Sequence, residues 1–107
     1  MQIKKTKFAG VYEIYQNRFK DKRGYFFESF NKKKFNKLVK KNYNFVQDNI
    51  SLSKKMVFRG FHLQTKPFEQ AKIVQVLSGE ILDIILDLRK NSKTFGKIIK
   101  IYLSEKN

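Results

Sequence analysis

Cysteine and tryptophan are absent from the 107 residues, and proline and histidine occur once each. Without cysteine there is no disulfide framework, no thiol nucleophile and no thiolate-held metal. A lone histidine cannot supply the two- or three-imidazole sets that hold zinc or iron. No apolar run is long enough to span a bilayer, and the greasiest, Ile81 to Leu88, carries Asp83 and Asp87. The first eight residues, MQIKKTKF, lack the apolar stretch of a signal peptide. These absences lead to the expectation of a cytoplasmic protein that does not engage a membrane. The length predicts one domain, residues 1–107, able to bury about two-thirds of its unfolded surface.

Acidic residues are also scarce, 9 against 24 basic ones, for a net charge of +15. Such a field attracts polyanions, so a nucleic-acid-binding module is one class to weigh. The composition of the excess argues against it. Twenty of the basic residues are lysine and 4 are arginine, whereas base and phosphate readers favour the two-pronged guanidinium. Lysine, asparagine, phenylalanine, isoleucine and tyrosine together make up half the chain, as a genome rich in A and T would produce. A solvated lysine surface accounts for the charge.

What is present is β-rich. Val11 to Tyr15 and Tyr25 to Phe30 read as strands flanking the polar loop Asp21 to Gly24. Asn31 is placed to cap a short helix with Phe35, Leu38 and Val39 on one face. Further strands are predicted at Phe45–Leu52, Val57–Gln64, Ala71–Leu77, Ile81–Leu88 and Lys97–Leu103. A two-residue hairpin at Ser78-Gly79 would set Val74 opposite Asp83 and Lys72 opposite Ile85. Lys72 would then have Asp83 and Asp87 as diagonal neighbours, either as a site or as a salt bridge on a wet face. Several short strands and one helix suggest a mainly β fold, a β-sandwich or jelly roll. His62 stands three residues after Arg59, which would put the two on opposite faces of a regular strand. For both to line one pocket, Gly60 must kink the chain; the alternative for His62 is a hydrogen-bonded structural histidine.

Seven blocks in order then become informative: DKRGYFFE from Asp21, QDNISLS from Gln47, RGFHLQ from Arg59, QAKIVQV from Gln70, GEILD from Gly79, DLR from Asp87 and SKTFG from Ser92. Together they resemble the dTDP-4-dehydrorhamnose 3,5-epimerase family of cupin-like sugar-nucleotide enzymes. The resemblance runs over nearly the whole chain and over the first three-fifths or so of a typical family member. It implies a cupin-like jelly roll, either as a piece of a longer enzyme or as a shortened homologue that completes its sheet through another chain, and exchange of N-terminal strands within a homodimer.

It also implies a reaction. Protons at C3 and C5 of a dTDP-4-keto-6-deoxyhexose leave and return on the opposite face, in deoxysugar synthesis for surface polysaccharide. A carbon acid beside a ketone needs a base near neutral pKa and a cation for the enolate oxygen. By the resemblance His62 is the base and Lys72 lies near the C4 oxygen; its diagonal neighbours in the expected hairpin, Asp83 and Asp87, would keep Lys72 charged. Arg23, Glu28, Gln47, Asn49 and Arg59 match substrate-binding positions, the arginines suiting a diphosphate. Cupins that bind metal use His-x-His on this strand; here the sequence is His62-Leu63-Gln64, so no metal or other cofactor is expected. The family's acid tyrosine, and the carboxylate that orients the base, are expected beyond residue 107. The competing reading is a truncated cupin that binds a sugar nucleotide without turnover.

Overall fold

The structure, a computed structural model, describes all 107 residues. Six strands and one helix follow in the order β1 (Gln2–Lys5), β2 (Tyr12–Tyr15), β3 (Phe19–Asp21), β4 (Gly24–Phe26), α1 (Lys32–Val39), β5 (Glu80–Leu86) and β6 (Ile98–Ser104). The mainly β class with one short helix is as expected. All pairing is antiparallel and each sheet has two strands: β1 with β2, β3 with β4, β5 with β6. The loop Asp21 to Gly24 thus sits within its own hairpin, and β2 pairs with β1, a strand the alternation of the sequence did not suggest.

Helix α1 starts where Asn31, extended at φ −142°, turns its side chain to accept the N–H of Lys34 at 3.0 Å. It stops at Lys40, which takes the left-handed conformation (φ 55°) and donates its N–H to the carbonyl of Asn36. Phe35 and Val39 are buried as the spacing predicts, while Leu38 stays partly open. Around the helix Phe30, Phe35, Tyr43 and Phe45 form an aromatic cluster with centroids 5.6–6.0 Å apart. Asn36 turns the chain back by pairing its side-chain amide with both backbone groups of Tyr43 at 3.0 Å.

The expected strands at Phe45–Leu52, Val57–Gln64 and Ala71–Leu77 do not form. Residues 45–77 make only two backbone hydrogen bonds, Val57 to Lys54 and Phe68 to Thr65, both local turns. Nor does the Ser78-Gly79 hairpin form. Gly79 pairs both its backbone groups with Glu105, and β5 pairs on one edge with β6, Asp83 opposite Ile101, leaving its other edge open. A strand is defined by its partner, and these segments find none among residues 1–107. Their apolar side chains stand in solvent, Leu52 at 94% and Met56 at 93%. The accessible surface is 10,049 Å², against about 6,300 Å² for a compact monomer of this mass.

The buried charge is Asp87, at the end of β5. Its Oδ1 accepts the N–H and Nε of Arg89 (3.1 and 2.8 Å), and its Oδ2 accepts Arg89 Nη2, Ser92 Oγ and Thr94 Oγ1 (2.8, 2.7 and 2.6 Å). Arg89 then reaches 80 residues back, donating Nη1 to the carbonyl of Ala9 at 2.6 Å. Beside Ala9, Phe8 is buried, so this ion pair ties the β1–β2 hairpin to the β5–β6 sheet.

Arg89, followed by Thr94 and Ser92, holds the Asp87 carboxyl well below the usual carboxylate range. A depressed pKa gives stability that is present above the unfolded-state value and lost as pH falls. Asp87→Asn is therefore expected to lower the thermal midpoint at pH 7 by roughly 5–15 °C. Circular dichroism melts should show that gap narrowing below about pH 4; a gap independent of pH would mean that the charge is not its source.

Candidate functional site

The site residues sort by what restrains them. Arg23 closes on Asp21 across the β3–β4 turn: its N–H meets Asp21 Oδ1 at 2.8 Å, and Nε and Nη2 meet Oδ2 at 3.2 and 2.6 Å. These bonds hold the Asp21 carboxyl below its ordinary range. The same Asp-x-Arg closure recurs at Asp87-Leu88-Arg89, and exposure separates the two. The Asp87 side chain is 1% exposed and fully committed, whereas the Arg23 side chain is 90% exposed and keeps donors free for a ligand. Arg23 lines a shallow depression of about 370 Å³ with Phe19, Lys20, Asp21, Gly24, Tyr25 and Phe26. Aromatic faces beside two cations suit a base or sugar joined to phosphate.

Glu28 follows β4, half-buried, and accepts Lys34 Nζ at 2.9 Å and Asn31 Nδ2 at 3.0 Å. Lys34, then Asn31, lower its carboxyl pKa. The helix cap and the Glu28 carboxylate are thus one assembly. Neither of these partners was marked by the sequence as a site residue, although the Asn31 cap that brings them together was legible.

Gln47 and Asn49 are side by side, with Nε2 to Oδ1 at 3.5 Å, although the strand that was to align them does not form. Arg59 donates Nε to Ser53 Oγ at 2.9 Å and Nη2 to the Leu52 carbonyl at 3.3 Å, drawing the Gln47–Ser53 block towards the Arg59–Gln64 block. Between Arg59 and His62 the chain does kink. Gly60 sits at φ +125°, a conformation side chains rarely adopt, and a Cβ there would lie 3.7 Å from Cδ2 of the His62 ring. His62 is exposed and makes no hydrogen bond within the protein.

Lys72 is also exposed and makes no ion pair. Its expected neighbours are otherwise engaged. Asp87 is saturated by its own loop, and Asp83 is half-buried on β5 without an ion partner. Both corrections have one cause, since the diagonal relation required the 71–77 strand to pair with β5. Burial raises the Asp83 carboxyl pKa, partly opposed by the N–H of Ile84. A second depression, of about 500 Å³ beside Arg89, Lys7 and Lys93, contains none of the expected site residues.

These residues make up an exposed cation paired with Asp21 at a turn, an amide pair, a restrained guanidinium and a free imidazole. Three comparisons with known proteins bear on it. A family model described as dTDP-4-dehydrorhamnose 3,5-epimerase matches residues 5–107. The Shigella flexneri dTDP-4-dehydrorhamnose 3,5-epimerase is 44% identical over 107 residues, covering 100% of this chain and 59% of that protein. The crystal structure of the Elizabethkingia anophelis epimerase superposes with a TM-score of 0.91 at 48% identity, covering 100% of this chain and 58% of that one. A Legionella pneumophila 3,5-epimerase in complex with dTDP-4-keto-L-rhamnose gives 0.87 at 35% identity, covering 99% and 56%. The chain spans about three-fifths of the length of the relatives it matches.

Asp83 separates the paired and unpaired arrangements. Its pKa is raised in the folded state, so its effect on stability worsens as pH rises through the carboxylate range. Asp83→Asn is expected to raise the thermal midpoint at pH 7 by roughly 2–5 °C and to have little effect at pH 3. A loss of stability at pH 7 would show that a cation, Lys72 foremost, meets this carboxylate after all.

Proposed function

Since the chain belongs to the dTDP-4-dehydrorhamnose 3,5-epimerase family, we propose that it takes part in epimerising a dTDP-4-keto-6-deoxyhexose at C3 and C5. The fold is cupin-like, that of the matching part of these enzymes, and residues 1–107 form one such domain in this reading. The observation that carries the proposal is the free imidazole of His62 beside the kink at Gly60. A ketone at C4 acidifies the flanking C–H bonds. His62 takes the proton, and the ammonium of Lys72 stabilises the enolate oxygen that develops. Arg23 and Arg59 pair with the diphosphate, while Gln47, Asn49 and Glu28 hydrogen-bond the sugar and nucleoside. Asp83 supports Lys72 once the sheet between them is paired; Asp87 has no part in this beyond architecture.

A homodimer that exchanges N-terminal strands is supported by the open edges. Every strand lies in a two-stranded sheet, and residues 45–77 offer unpaired backbone. Unpaired edges accept strands from another chain. No helix is long and apolar enough to cross a membrane, and we assign the protein to the cytoplasm, where its sugar-nucleotide substrate would be made. A second reading, binding without turnover, is favoured by the exposure of both His62 and Lys72.

Proton exchange into substrate decides between them. In heavy water the native chain is expected to wash deuterium into C3 and C5 of dTDP-4-keto-6-deoxyglucose, and His62→Ala to slow this at least ~100-fold. Undiminished exchange in His62→Ala would remove the assigned base. Binding with no exchange in the native chain would establish the second reading.

A further inference from the structure

Arg18 lies between β2 and β3, outside every block that carries the family resemblance. Its guanidinium carbon is 4.8 Å from the centroid of the Tyr25 ring and 5.1 Å from that of Phe27, and the two rings are 6.0 Å apart. The side chain is half-buried there, and its Nη2 donates to the main-chain carbonyl of Glu105, 87 residues away. Glu105 is itself fixed: its N–H meets the Gly79 carbonyl at 3.1 Å, and its Oε2 accepts the Gly79 N–H at 2.9 Å. Arg18 therefore grips the end of the β5–β6 ladder, where Glu80 faces Ser104.

The β3–β4 hairpin needs such a grip. Its strands have three residues each and no third strand, and an isolated hairpin is marginal at best in water. No other hydrogen bond joins residues 16–28 to anything beyond Lys34. This hairpin carries Arg23 at its turn and the depression of about 370 Å³. We propose that Arg18 is a positioning residue, docking the β3–β4 hairpin on the Glu105–Gly79 end of the β5–β6 sheet and so fixing where Arg23 meets the nucleotide diphosphate. It acts through Arg23 and does not touch the ligand. The claim about Arg23 rests on the sugar-nucleotide reading; the docking does not.

Two measurements keep those apart. The chain has no cysteine, so spin labels at Lys22→Cys and Lys106→Cys report one distance, from hairpin turn to β6 end. Pulsed electron resonance is expected to give a narrow distribution that broadens in Arg18→Ala and is partly restored in Arg18→Lys, which keeps the donor but loses the planar stack. An unchanged distribution in Arg18→Ala would overturn the docking.

Calorimetry with dTDP then tests the consequence. Arg18→Ala is expected to weaken binding about tenfold, Lys33→Ala to leave it unchanged, and Arg18→Ala with Arg23→Ala to bind no worse than Arg23→Ala alone. Additive losses, or an equal loss in Lys33→Ala, would overturn action through Arg23. No dTDP binding by the native chain would sink the sugar-nucleotide reading, and the spin-label distances would still decide the docking.

Discussion

One carboxylate holds the frame. Asp87 leaves water with every lone pair engaged, by Arg89, Ser92 and Thr94 of the loop that follows it. A charge buried that deeply is tolerated only when paired and hydrogen-bonded. The pairing in turn aims Arg89 at Ala9, joining the two ends of the chain. Arg18 does the same for the β3–β4 hairpin and Arg59 for the Leu52–Ser53 segment. Each of the 4 arginines is hydrogen-bonded within the protein, whereas among the 20 lysines only Lys32 and Lys34 bond through Nζ. The net charge of +15 thus has two parts: arginines hydrogen-bonded within the protein, and lysines that, apart from Lys32 and Lys34, make no Nζ hydrogen bond.

The residues proposed for chemistry occupy the part of the molecule that supports itself least. His62 and Lys72 lie in residues 45–77, where apolar side chains alternate in strand fashion but the backbone finds no ladder. The residues proposed for binding, Arg23 and Glu28, lie instead on hairpin and helix cap, each held by a salt bridge. Such a division lets the phosphate end of a ligand meet preorganised groups while the reacting end depends on a sheet still to be paired. The excess of accessible surface measures the same deficit.

Much of this was legible in the residues. The Asn31 cap, the buried Phe35 and Val39, and β5 and β6 to within a residue or two follow from spacing and turn chemistry. Expectations failed where they required a partner strand. Val74 was to face Asp83, but a two-residue turn only permits a hairpin; β5 pairs with β6 along one edge, its other edge stays open, and the Gly79 N–H is taken by Glu105. Asp87 read as a neighbour of Lys72 because alternation ignores the loop beyond it, where Arg89, Ser92 and Thr94 compete at closer range. Arg18 gave no signal, since its partner Glu105 is 87 positions away and contributes a main-chain carbonyl that any residue would have.

The lone imidazole permits the most direct test. With one histidine in the chain, the Cε1–H resonance of His62 is unambiguous in a carbon-resolved spectrum. Titration with dTDP-4-keto-6-deoxyglucose is expected to shift that resonance, with a saturation curve matching those of the Arg23 and Arg59 guanidinium signals. Movement of the arginine signals with a stationary His62 resonance would place the ring outside the sugar pocket and contradict its assignment as the base.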